Sequence, residues 1–455
     1  MATRKKGKKK TTKKTTKRAA VKRTPPPPVV TGGGEPLASL AVAPPPPPTT
    51  DQAFLERQAA LDAVANAFNE DGHMVMVRGD EAPNPYILRR PTGIMELDID
   101  LAGGWPAGGA CFVSGPDNSG KTWLMLQTMA MQQRIYGQRC VQAMAITEGG
   151  FPYDQCMRVG LRIAVPDDMI RQWQQVRVQR GLAPYTVQDL TYFKEQVGDF
   201  RIIRGSTGEE VLSVLLQVIG TRACSIVCVD SLQGLRPLAD ADKEMDEASK
   251  RAAHASMITE FFKRYIPITT GLSGVNSTTL LMTQQVRSNS AKAEASANIQ
   301  KYLKDWAIAG SYAGRHYKLV DLILYDGAVD KREVSGQGKI AVGKTLKWEF
   351  EKGKAGTHDN IQGEVQYRYM LNDGTAFPPG VDFLGTVMDS AQQRGVLRKV
   401  GSKYTLVRPD TNQVLEEYSA PSLKAFRRCM ELDEEFEMSV RLEVLAAAGV
   451  QCLYQ

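Results

Sequence analysis

The chain has no run of about 18 apolar residues, so no segment reads as a membrane span. Its N-terminus lacks the apolar core of a secretory signal. The seven cysteines (Cys111, Cys140, Cys156, Cys224, Cys228, Cys429 and Cys452) are scattered and form no CxxC pair. That removes the common zinc and dithiol patterns and favours reduced, structural thiols in a cytosol-like compartment. Acid is missing from residues 1–23, which hold 12 of the 57 Lys and Arg. The rest of the chain carries 45 basic against 50 acidic residues, a net of −5. The pI near 8.9 therefore belongs to a tail rather than to the folded body.

The 455 residues are enough for about three domains on the usual length scale. Residues 1–50 are of low complexity, Lys/Arg-rich and then Pro-rich ("TPPPPVVTGGG", "APPPPPTT"). They bury too little apolar surface to offset ordering, so a disordered tail with extended proline runs is expected. Such charge density suits DNA or RNA phosphates, and nuclear-type targeting is the competing reading. A mitochondrial presequence fits poorly, because the first 18 residues offer no apolar face. Residues 51–90 open with Phe54, Leu61, Val64, Ala65 and Phe68 at helical spacing, followed by the alternating "HMVMVRG" at 73–79. One apolar face implies a packing partner, either the chain's own body or a neighbour.

From residue 110 the pattern is strand, loop, helix, repeated. "ACFVSG", "CVQAMAIT", "FRIIRG", "SIVCVD" and "TLLMTQ" are short apolar runs with helical stretches between them. This argues for an α/β fold with a mostly parallel sheet covered on both faces. Ser206 and Glu209 have capping-box spacing after "FRIIRG". Residues 161–199 read as a mostly helical insertion within a core spanning 91–378. Strands from about 318 read as hairpins, and residues 379–455 as a small, mostly helical C-terminal domain.

"GPDNSGKTW" supplies Gly115, Pro116, Asp117, Asn118, Ser119, Gly120, Lys121 and Thr122, the Gly-x-x-x-x-Gly-Lys-Thr loop between a strand and a helix. The glycines let the backbone wrap phosphate, Lys121 neutralises the β/γ-phosphates, and the Thr122 hydroxyl suits Mg²⁺. The expected ligands are ATP and Mg²⁺. "SIVCVDS" ends an apolar strand in Asp230, the acid expected to hold Mg²⁺ through water. Glu148 follows the next strand's end, where ligands bind in such sheets; it is either a base for the attacking water or an ordinary surface acid. Gln284 and Gln285 end another strand beside the same edge. Lys352 and Lys354 sit at a strand end on one side of it, reading either as a solvated edge or as phosphate contacts.

Together these pieces resemble the RecA family of recombinases, its bacterial and phage branch most closely, from about residue 52 to the mid-430s. The resemblance rests on "PTGIMELDIDLAGGWPAGG", "GPDNSGKTWLMLQ", "DSLQGLRP", "MTQQVR", "KGK" and "STGEEVL". It implies a catalytic role for Glu148 and γ-phosphate sensing by Gln285. It implies that Lys352 and Lys354 reach a neighbouring subunit's ATP, with 54–68 and 73–78 as an N-terminal polymerisation element. It implies single- and double-stranded DNA along two loops, about 238–251 (Lys243, Met245, Lys250, Arg251) and 287–311 (Arg287, Lys292, Lys301, Tyr302, Trp306). Three features depart from the family. The second loop lacks its Gly-Asn-Pro-Glu-Thr-Thr run and instead carries Ile299, Tyr302, Leu303 and Trp306 as an amphipathic helical stripe. That stripe either packs on the body or supplies a base wedge through Tyr302 or Trp306. The family's adenine-contacting Asp and Tyr fall on Pro152 and Gln155, leaving Tyr153 and Asp154 as nearby candidates. The insertion and the basic tail are foreign to the pattern.

The reading is a DNA-dependent ATPase that forms helical filaments of its own kind on single-stranded DNA and promotes homologous pairing and strand exchange, without a membrane partner. Its expected place is cytoplasmic, at the nucleoid, with nuclear-type targeting as the alternative. The rivals are a helicase on the same core and an ATP-gated mediator without strand exchange of its own.

Overall fold

The computed structural model describes residues 52–68, 88–179, 181–240, 247–270, 278–288, 306–308, 316–334, 338–354, 356, 360–368 and 380–450. The tail 1–50 and the strand expected at 73–78 lie outside these. Helix α1 spans Gln52–Phe68, and on it Leu61 and Val64 are exposed.

The apolar runs form one sheet. Its strands are β3 (Ala110–Gly115), β4 (Val141–Ile146), β5 (Asp199–Ile203), β6 (Ile226–Asp230), β7 (Thr279–Ser288), β8 (Trp306–Ile308), β9 (Val320–Val334), β10 (Gly338–Gly353) and β11 (Gln362–Arg368). The order is β11-β10-β9-β3-β7-β6-β4-β5, with β8 paired to β7. From β9 through β5 neighbours run parallel, while β10, β11 and β8 are antiparallel additions. The inner strands β3, β4 and β6 are buried on both sides, which is why they are largely apolar rather than alternating, whereas the outer strand β5 is partly exposed. Cys111 and Val113 face helix α3 (Lys121–Tyr136), while Ala110 and Phe112 face helices α7 (Gly208–Gly220) and α8 (Glu247–Thr270). The fold is α/β with a large, mostly parallel central sheet, as expected, and is consistent with a RecA-type core.

The lead-in to β3 is tied by its own polar residues. In helix α2 (Met95–Asp100), Asp98 accepts from Thr92 N at 2.6 Å, Thr92 Oγ1 at 2.7 Å and Gly93 N at 3.2 Å. At Gly104 (φ +121°) a Cβ would sit 2.4 Å from the Arg90 carbonyl oxygen, so only glycine fits the crossing of the short strands β1 (Arg89–Arg90) and β2 (Trp105–Pro106). The insertion contains α5 (Asp167–Gln179) and α6 (Val187–Lys194), closed around Ile170 and Phe193.

Three expectations change. The cap of α7 is Thr207, whose side chain accepts from Glu210 N at 3.2 Å, while Ser206 N donates to Glu210. The expected Ser206/Glu209 pair is thus shifted by one residue, and Glu209 instead accepts from Leu238 N at 2.9 Å. Trp306, placed by its spacing on a helical stripe, lies in β8, whose main chain pairs with Val286–Ser288 of β7. The C-terminal segment is not mostly helical. Helices α9 (Phe383–Gln393), α10 (Leu423–Leu432) and α11 (Glu434–Ala447) share their core with an antiparallel sheet of β12 (Leu397–Val400), β13 (Lys403–Val407) and β14 (Val414–Ala420).

Candidate functional site

Parallel strands deliver their carboxyl ends to one edge, and there the chemical residues meet. β3 runs into the glycine loop at Gly115. A Cβ on Gly115 would lie 2.4 Å from both Leu324 O and Ser119 Oγ, so the loop closes only around glycine. Asn118 (φ +60°) and Gly120 (φ +90°) complete the turn, and α3 starts at Lys121 without a side-chain cap. Its first-turn N–H groups are thereby left for an anion. Ser119 Oγ is buried and without a hydrogen-bond partner among the described residues. Lys121 Nζ donates to Gly115 O at 3.0 Å and Pro116 O at 2.6 Å. Burial lowers the Lys121 pKa, and the carboxylates of Asp117, Asp230 and Glu148 oppose that. This donor set fits a triphosphate.

Asp230, at the end of β6, accepts from Thr122 Oγ1 on one oxygen (2.7 Å) and Thr283 Oγ1 on the other (2.6 Å). One hydroxyl and one carboxylate beside a phosphate loop match what Mg²⁺ takes from a protein when phosphates supply the rest. No cluster of three or more His, Cys, Asp or Glu suited to a metal occurs among the described residues. Glu148 is held against the same strand end. Ser231 Oγ donates to Glu148 Oε1 at 2.6 Å, Ser231 N donates to Thr147 Oγ1 at 2.8 Å, and Thr147 N donates to Asp230 O at 3.0 Å. The peptide between Asp230 and Ser231 is cis. Gly234 packs so closely that a Cβ would fall 2.3 Å from Thr147 Oγ1 and 2.7 Å from Glu148 Cγ. The short helix Leu232–Gly234 touches α8 through His254 Nε2, 3.0 Å from Leu232 O. The stem of the first loop is thus in contact with the acid expected to act on water.

Gln285 is half-buried on β7 and lies in register with Gly115. Lys352 lies near the end of β10 and Lys354 just past it, at the strand's far end from the glycine loop. Lys352 is in register with Asp321 on β9, and Asp321 with Phe112, three residues before Gly115. The lysine that reaches the chain's own loop is instead Lys344, whose Nζ donates to Asn118 O at 2.7 Å and to Asp326 Oδ1 at 2.6 Å.

A cavity of about 460 Å³ adjoins the loop, and Gln155, Arg158, Lys344 and Tyr367 contribute to its lining with residues 118–123. Tyr153 is not part of that lining: its ring stands edge-on to Phe151, centroids 4.7 Å apart. Gln155 and Arg158 lie three residues apart on helix α4 (Tyr153–Val159) and turn to the cavity together. Sequence reasoning missed Arg158, Lys344 and Tyr367; only the helical spacing of Gln155 and Arg158 could have pointed to the first.

Of the expected DNA contacts, Lys243, Met245, Lys292, Lys301 and Tyr302 lie outside the described residues. The backbones of Lys250 and Arg251 are in the first turns of α8, and those of Arg287 and Trp306 in β7 and β8. No helix among the described residues is long and apolar enough to cross a membrane.

No family model matches the chain. Curated proteins do. "DNA repair protein recA homolog 1, chloroplastic" of Arabidopsis thaliana is 23% identical over 396 residues, 87% of this chain and 75% of that protein. "Protein RecA" of Acidothermus cellulolyticus is 23% identical over 356 residues, covering 78% and 84%. "Protein RecA" of Lactococcus lactis subsp. cremoris (strain MG1363) is 24% identical over 349 residues, covering 76% and 75%. These likenesses are spread over most of the chain and support the RecA family.

Proposed function

We propose that this chain is a recombinase of the bacterial and phage type. In this reading it binds ATP and Mg²⁺, assembles as a helical filament on single-stranded DNA, and drives homologous pairing and strand exchange. The observation that carries the reading is the single hydrogen-bonded cluster Thr122–Asp230–Thr147–Ser231–Glu148 at the sheet edge from which both expected DNA loops also leave.

Residues 115–120 and Lys121 would hold the phosphates, and Thr122 and Asp230 the Mg²⁺, which when bound neutralises developing phosphate charge. Glu148, oriented by Ser231, accepts a proton from the attacking water. Gln285, paired beside Gly115, reports the γ-phosphate to the segment after it. Lys352 and Lys354, set away from their own glycine loop, suit a neighbour's ATP. Gln155, Arg158 and Tyr367 suit the base, while Tyr153, packed on Phe151, takes no part in that lining. The exposed Leu61 and Val64 of α1 suit docking on the next protomer. Lys243, Lys250, Arg251, Arg287, Lys292 and Lys301 would meet phosphates, and Met245, Tyr302 or Trp306 would wedge between bases. The tail 1–50 adds duplex contacts.

The test is ATP-dependent strand exchange by the purified chain, with negative-stain imaging. Joint molecules and striated filaments are expected. Unwinding of a forked duplex without exchange would make it a helicase. ATP and single-strand binding without pairing would make it a mediator, the rival that its unusual second loop leaves standing.

A further inference from the structure

Beside the glycine loop lies a buried polar chain that the proposed chemistry leaves unused. Gln284 Nε2 donates to Ser114 Oγ at 2.6 Å, Ser114 Oγ donates to Asp321 Oδ1 at 2.6 Å, and Lys318 Nζ donates to Asp321 Oδ2 at 2.6 Å. None of the four residues is more than 4% exposed. Strand register explains the meeting. Ser114 lies beside Gln284, Phe112 lies beside Asp321, and alternation turns all four to the α7/α8 face. Lys318 Nζ sits there 4.4 Å from the centroid of the Phe112 ring. Gln285 is on the opposite face, so the chain is separate from the γ-phosphate contact proposed for that residue.

A buried ion pair is a poor source of stability, since well-packed apolar residues commonly serve as well or better. The strands involved are already joined by main-chain hydrogen bonds. The ends of the chain are what distinguish it. Gln284 is on β7, the strand that leads into the second loop, and Lys318 is two residues before β9, where that loop returns. Ser114, between them, immediately precedes Gly115.

We propose that Gln284–Ser114–Asp321–Lys318 is a positioning relay that ties both stems of the second loop to the strand launching the phosphate loop, so that DNA held by the loop alters ATP turnover. The proposal rests on the function given above. Its members touch neither nucleotide nor DNA; they act by holding the stems in one arrangement relative to Gly115.

The test uses the full chain with the double substitution Lys318→Met/Asp321→Leu, which removes both charges at similar volume. Basal ATP turnover and affinity for a fluorescent ATP analogue should stay within about twofold of wild type, while stimulation by single-stranded DNA falls roughly 2- to 30-fold, the usual range for such couplings. Gln284→Leu, which leaves the ion pair intact, should give the same split if the double variant folds badly. In a cycle with Asp321→Asn its effect should be non-additive. Equal losses in basal and stimulated turnover would reduce the chain to a structural element and overturn the proposal. If wild type shows no stimulation by DNA, the function proposed above fails. The relay is then judged by hydrogen exchange: the ATP analogue should slow exchange at 284–288 and 316–320 in wild type and not in the double variant. The same slowing in both would overturn it.

Discussion

Two of the places where the described residues bury charge use it differently. Within the sheet, Lys318 and Asp321 pair at the start of β9, a strand that a main-chain ladder already joins to β3. At the junction of the core with the C-terminal helices, Arg441 of α11 donates from Nε to Glu437 Oε1 at 2.8 Å and from Nη2 to Gly93 O at 3.1 Å. Glu437 also pairs with Arg134 at the end of α3, and Asp98 lies 4.0 Å from Arg441 Nη1. The C-terminal sheet is separate from the main one, so at this junction side chains do the joining. The same ionic chemistry therefore serves coupling where the backbone is already fixed, and cohesion where it is not. Substitutions within the sheet should change rates, whereas substitutions at the junction should change stability.

The largest effect is expected at the edge. Glu148→Gln keeps a hydrogen-bond acceptor for Ser231 but cannot take a proton. ATP turnover should fall about 10²- to 10⁴-fold, the usual worth of a positioned base, while ATP and single-stranded DNA still bind in filter assays. Unchanged hydrolysis would remove Glu148 from the chemistry.

At the junction, Arg441→Met leaves buried Glu437 with Arg134 as its remaining ion partner and takes the nearby cation from buried Asp98. Removing one partner of a buried pair costs about 3–5 kcal/mol, to be read as a lower urea midpoint. Turnover per folded molecule should stay near wild type. A variant of normal stability with reduced turnover would erase the contrast between the two places.

Much of the edge was legible beforehand, because its signals are local. A glycine loop between an apolar strand and a helix, an acid closing an apolar run and a carboxylate just past another strand each need only a few consecutive residues. The relay was illegible because it depends on which strands are neighbours: nothing in "ACFVSG" says that β7 and β9 flank it, or that Asp321 will face Ser114. Lys344 read as nothing, since a lysine near a strand end is usually solvated, and its partners are 18 and 226 residues away. The cap of α7 slipped by one because Ser206/Glu209 and Thr207/Glu210 both satisfy the same spacing. The sheet β12–β14 was missed because its strands are short and carry charges on the exposed side, as in the exposed Lys399, Lys403, Glu416 and Glu417.

The smallest effect tests whether the junction's second acid is held as a charge or as a neutral group. Burial pushes the Asp98 carboxyl up to about 6, against the opposing pull of Arg441 and of the donors at Thr92 and Gly93. An unfolded Asp loses its proton near pH 4. Between about pH 4 and 6 the folded chain therefore holds a proton at Asp98 that the unfolded chain has released. Stability from this group is full below that window and is lost as pH rises through 6. Asp98→Asn has no such proton, so the stability of wild type relative to it should decline by about 1 kcal/mol between pH 5 and 7. Urea midpoints of both proteins at the two pH values measure this, and the comparison cancels Asp100, which burial also pushes up to about 6. A wild-type advantage that grows with pH would mean that the three donors and Arg441 keep Asp98 ionised, making the junction a true ion network like the Lys318–Asp321 pair within the sheet.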